Sequence, residues 1–161
     1  MLLLLLITVM NANAQTTLTS SVNDITVAYL NLKNALAKDD GALAESKAKI
    51  LYDEINTVPT KDLPAKQQGV WKKYADKLSF DSRHISETTA IDHQREHFAS
   101  LSKNLYEVLK ALPVNSADLY WQYCPMKKAN WLSDAQTIEN PYYGKAMLSC
   151  GSVKETLKAT K

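Results

Sequence analysis

Glycine is scarce in this chain: there are four in 161 residues, beside only two cysteines and two phenylalanines. Four scattered glycines build no phosphate-cradling loop, which needs several at fixed spacing so that backbone N–H groups can converge on the anion. Charge of one sign is also missing. Nineteen basic against seventeen acidic residues leave a net charge of +2, far short of the basic footprint that binds nucleic acid. Long apolar runs are absent too. The longest, Leu2 to Met10, is about half of the roughly 20 residues that a membrane-spanning helix requires.

That run has the length of a signal-peptide core, and Ala12-Asn13-Ala14 after it fits the small-x-small pattern that precedes cleavage. Residues 1–14 are therefore expected to be a signal peptide cut near Ala14, delivering the chain to the periplasm or outside the cell. No cysteine stands directly after the cleavage point, and the apolar run is too short to span a membrane, so no anchor is expected on the mature chain. The remainder suits one domain of ordinary size, with a bundle over residues 15–115 and a small appendage over 116–161.

From Ser20 to Lys110 apolar residues recur at three and four, the spacing of one helical stripe. Four helices are expected. The first carries Val22, Ile25, Tyr29, Leu32 and Leu36, with Ser21 and Asp24 resembling a capping box at its start. The second runs from about Gly41 to Thr57 with Leu43, Ala44, Leu51 and Ile55 inward. The third runs from about Pro64 to Glu87 on Val70, Trp71, Tyr74, Leu78 and Ile85. The fourth runs from about Ala90 to Leu112 on Ile91, Phe98, Leu101, Leu105, Leu109 and Leu112. Short connections between helices of this length favour an antiparallel, up-and-down all-α bundle.

The periodicity stops after Asn115. Residues 119–151 hold six of the thirteen aromatics, with turn signals at "KKAN" and "NPYYG". "LYWQYC" reads as a strand with "KAMLSC" as its partner, forming a small flap. Ser152 and Glu155 read as a capping box starting a short terminal helix, "SVKETLKA".

Two groups of residues can carry chemistry. The three histidines lie within "HISETTAIDHQREH": His93 and His97 stand at i and i+4, on one side of a helix, and His84 lies on the preceding helix at a similar height. At about 100° per residue, His97 falls roughly 70°, His93 roughly 110° and His84 roughly 100° from the centre of its own stripe. They flank the core, where the flap could cover them. Glu does not follow His93 directly, so the zinc-protease pattern is missing, and no nucleophilic triad is indicated; the chain is not expected to be an enzyme. Gln94 lies near the stripe centre and needs a hydrogen-bond partner.

The second group is sulfur: Cys124 and Met126 in "CPM", Met147 and Cys150 in "MLSC". Thiolate and thioether are soft ligands that select Cu(I), and imidazole accepts copper or zinc. An exported chain with two cysteines equally invites a disulfide, and a Cys124 to Cys150 bridge would close a loop of about 26 residues, worth on the order of 3 kcal/mol. Metal ligation and disulfide are redox alternatives for the same atoms.

"HISETTAIDHQREHFASLSKNLY" followed by "YCPM" and "NPYYGKAMLSCG" resembles the exported domain of unknown function 3347 family, found free-standing or appended to periplasmic adaptor subunits of heavy-metal efflux pumps. "YCPM" is also similar to the short heavy-metal-binding segment of copper-export ATPases, although a histidine commonly follows there and Lys127 stands here. The resemblance implies a metal-handling role, with Cu(I) the first candidate and zinc or another soft ion next. Its matching ligands are His84, His93, His97, Cys124, Met126, Met147 and Cys150. It also implies sequestration or delivery to an efflux adaptor or other periplasmic protein. The rival reading is a disulfide-stapled interaction module without metal.

Overall fold

In the computed structural model, which describes residues 2–61 and 63–160 with side chains described from Leu18 onward, the three-and-four spacing becomes four helices. They are α1 (Leu2–Ala37), α2 (Gly41–Asn56), α3 (Ala65–Ser86) and α4 (Ile91–Ala111). Each packs on the one before it. The side chains of the expected signal segment, residues 1–14, lie outside those described. No helix among the described residues is long and apolar enough to cross a membrane.

On α1 the stripe Val22, Ile25, Tyr29, Leu32 and Leu36 is fully buried. The expected capping box at Ser21 and Asp24 does not begin this helix, which passes straight through it. No glycine or proline stands upstream of Ser21 to interrupt the helical ladder. The "KDDG" stop behaves as expected. Asp39 takes a left-handed conformation (φ 60°), and Asp40 caps α2 by accepting the Leu43 N–H at 2.9 Å. Leu43 itself is exposed rather than inward: the buried stripe of α2 is Ala44, Ala48, Leu51 and Ile55, and Leu43 lies about 100° away from Ala44. On α3, Trp71, Tyr74, Leu78 and Ile85 are buried as expected, and so are Asp81 and Ser82. On α4 the buried row includes Phe98, Leu101, Leu105 and Leu109.

The appendage is a three-stranded antiparallel sheet: β1 (Leu119–Cys124), β2 (Ala129–Ser133) and β3 (Ser152–Leu157), in the order β2-β1-β3. "LYWQYC" is β1, as expected. Its partners are not. "KAMLSC" forms a short 3-10 turn (Gly144–Ala146) and bends, because Gly144 at φ +54° breaks any extended course. The capping-box reading of "SVKETLKA" is also overturned. Ser152–Leu157 is β3, pairing Leu119 with Leu157 and Tyr123 with Ser152. Ladder bonds along the open edge of β1 outweigh the local helix signal.

The sheet closes the gap between α1 and α4: it packs on α4 of the α3–α4 hairpin and on α1, away from α3. Tyr29 on α1 stacks on Phe98 of α4 at 5.2 Å. Its hydroxyl shares a 2.7 Å hydrogen bond with Ser102 Oγ and accepts the N–H of Leu132 on β2 at 3.1 Å. Tyr142 packs against both Phe98 and Trp131, at 5.8 Å and 6.0 Å, and Trp121 stacks on Tyr106 at 4.2 Å. The flap's aromatics thus form the wall that holds the sheet to the bundle, on the core side of α4.

A polar clasp fixes the same seam. Arg95 on α4 donates from Nε to Pro141 O at 2.8 Å, and from Nη2 to Leu36 O at 3.0 Å and Asp39 Oδ1 at 2.6 Å. Asp39 Oδ2 accepts the Lys145 N–H at 2.9 Å. That backbone bond, together with Arg95, holds the Asp39 carboxyl below its ordinary pKa. Gly144 is required here, since a Cβ would stand 1.9 Å from Asp39 Oδ1.

A three-histidine centre on the outer flank of the bundle

The connection between α3 and α4 is short, so the end of one helix lies beside the start of the next and His84 comes level with His93 and His97. Gln94 secures this turn. Fully buried, it donates from Nε2 to Thr88 O at 2.6 Å and Gly41 O at 2.9 Å. Its amide nitrogen therefore finds the partners that its position on the stripe demands, while Oε1 is buried without one among the described residues, and it ties the turn to the start of α2.

One ligand atom from each of His84, His93 and His97 lies within 4.8 Å of the others, and among the described residues no other group of three or more His, Cys, Asp or Glu converges in this way. The His84 and His97 rings are stacked nearly parallel, with centroids 4.7 Å apart. His93 meets His97 edge-on at 4.8 Å. Imidazole nitrogens bind zinc or copper at about 2.0–2.1 Å, so nitrogens sharing one ion stand about 3–4 Å apart. Small side-chain rotations close the difference, and His93, the exposed member, is free to make them. The cluster can hold a metal ion.

His97 is the anchored member. Its Nδ1 lies 3.0 Å from Oδ1 of Asp81, whose side chain is only 6% exposed. With Nδ1 committed to the carboxylate, Nε2 is the nitrogen left for an ion. Phe80 supplies an apolar edge, 4.3 Å from the His84 ring and 5.8 Å from the His97 ring. His93 has only a distant acidic neighbour, Glu96 Oε2 at 4.0 Å.

The expected sulfur ligands are elsewhere. Cys124 is buried at the end of β1 and Cys150 is half-buried before β3; both are free, and neither belongs to the histidine group. Met126, in the β1–β2 turn, and Met147, after the 3-10 turn, are exposed. The flap bearing all four packs on α4 and α1. The expectation that it would cover the histidines fails for a geometric reason. Arg95, on the flap side of α4, and His93 lie about 160° apart around the helix axis. Beside Cys124 stands Tyr142, whose phenol is pushed well above its ordinary pKa by burial and whose hydroxyl donates to Asn130 O at 2.5 Å.

Asp81 is the functional residue that the sequence reading missed. Its signal was present: Trp71, Tyr74, Leu78, Asp81 and Ile85 recur at three and four, so a carboxylate stands in the apolar row of α3.

No curated protein and no solved structure matches the chain. Residues 25–117 match the family described as "Protein of unknown function (DUF3347)"; the span takes in Asp81 and all three histidines and ends before β1. Because that match covers more than half of its length, the chain belongs to the DUF3347 family.

Proposed function

We propose that this is an exported metal-binding protein that holds one ion through His84, His93 and His97 and acts in sequestration or in delivery to an efflux system, without catalysis of its own. The observation that carries this reading is the convergence of three imidazoles within 4.8 Å, one of them held by a buried carboxylate.

Copper is the first ion to consider. An all-nitrogen donor set suits Cu(II) and Zn(II), and Cu(II) stands highest in the affinity order of divalent first-row metals. This moves the emphasis from Cu(I), which the four sulfurs favour, to the divalent ion. The exposure of His93 supports delivery, because an acceptor's ligand can reach the ion from that side. The leader-like "LLLLLITVMNANAQ" supports export. The disulfide-stapled alternative stays the second reading: Cys124 and Cys150 are unbonded here, but the Tyr123–Ser152 pairing brings their segments side by side.

The test is competition for Cu(II) and Zn(II) against a chromophoric chelator, using wild type and His97→Ala. Loss of a direct ligand is expected to weaken binding by more than the roughly 10–100-fold typical of an outer-shell change. Equal affinity in the two proteins would remove the histidine centre from consideration.

A further inference from the structure

We infer that Asp81 is a positioning residue for the metal centre: it holds His97 in the tautomer with the proton on Nδ1, so that Nε2 is the nitrogen offered to the ion. The inference rests on the metal reading above and adds to it a residue that supplies no ligand atom.

Asp81 occupies the core row of α3, between Leu78 and Ile85, and is 4% exposed. A carboxylate at such a depth is unfavourable unless it is hydrogen-bonded, and the side-chain hydrogen bond it makes is to His97 Nδ1, at 3.0 Å. An ionised carboxylate only accepts, so Nδ1 must donate and the ring's lone pair is confined to Nε2. The His97 side chain is itself 19% exposed and is packed face to face on His84, which leaves it little freedom to turn. Among the described residues, His84 and His93 have no buried carboxylate partner of this kind. Two adaptable imidazoles are thus set around one that is fixed, and metal-bound histidines commonly carry this carboxylate support.

The experiment uses the full chain labelled with 15N. Ring nitrogen shifts of His97 are read without metal, and affinity for zinc(II), which is diamagnetic, is read by chelator competition. In the wild type we expect a protonated Nδ1 and a bare Nε2. Asp81→Leu, similar in branching and lacking an acceptor, is expected to lose that tautomer preference and to bind zinc about 10–100-fold more weakly, with its helical circular dichroism retained. Asp81→Asn keeps an oxygen acceptor without the charge, so a smaller loss is expected. It also decides the matter if the leucine variant does not fold.

A wild-type His97 with its proton on Nε2 would overturn the proposal, as would zinc affinity unchanged in both variants. Failure of the metal reading gives a different result: a wild type that binds neither zinc nor copper while its Nδ1 proton is in place.

Discussion

α4 presents two flanks with opposite characters. On the flap side, Arg95 donates to three oxygens from two segments, the end of α1 with its turn and Pro141, and Phe98 is enclosed by Tyr29 and Tyr142. On the other side, His93 and His97 stand with His84 in a half-open cluster whose one strong bond is to Asp81. The first flank uses its polar groups up in holding the molecule together. Among the described residues, the second leaves ring nitrogens of the cluster without a hydrogen-bond partner, which is the condition for taking up a ligand from outside. Both lie within a single 21-residue helix, so an assignment of function has to follow the face and not the segment.

The comparison breaks most sharply at the clasp. Arg95→Met is expected to lower stability by about 2–4 kcal/mol, since Pro141 O loses its donor at about 1–3 kcal/mol, while Leu36 O, which keeps the Asp39 N–H, loses less. Zinc affinity of the folded fraction should stay unchanged. Denaturant titration together with chelator competition reads both quantities, and a parallel loss of zinc binding would show that the two flanks are coupled.

Cys124→Ser sharpens the comparison from the flap. Placing a hydroxyl at this buried position is expected to cost about 1–3 kcal/mol, again with zinc and copper(II) affinities preserved. A tenfold weakening would return the sulfurs to the metal site.

The smallest effect concerns acid. The Asp39 carboxyl has a folded-state pKa below its ordinary 3.8, first through the Lys145 N–H and then through Arg95. Its contribution to stability is therefore complete above about pH 4 and fades as the pH falls through the lower folded value. Asp39→Asn should flatten that acid limb of the stability profile; a limb of unchanged slope would assign it to other carboxylates.

The helices were legible because Val22-Ile25-Tyr29-Leu32-Leu36 and its counterparts repeat at the helical period, and burial rewards that period directly. The histidine cluster was legible for the same reason: i, i+4 spacing and a short hairpin fix positions from local rules alone. The flap was not. Ser152–Leu157 carries a local helix-start signal, yet it lies opposite the free edge of β1, and pairing between residues some thirty positions apart leaves no local trace. Asp81 was hidden differently. Reading the apolar row of α3 residue by residue passes over the one polar member that fits its spacing, although a polar group on such a row is itself a signal, as Gln94 shows on α4.

The strand order β2-β1-β3 has a consequence for the timing of folding. β1 is the middle strand, and one of its two edges is satisfied only by residues 152–157, while Thr160 bonds back to Asn115 and Pro113. The four helices precede in the chain the strand that completes their lid. Until residues 152–157 pair with β1, the apolar seam along Tyr29 and Phe98 lacks its finished cover. The histidine hairpin, built from neighbouring helices, can thus form while that seam is still open.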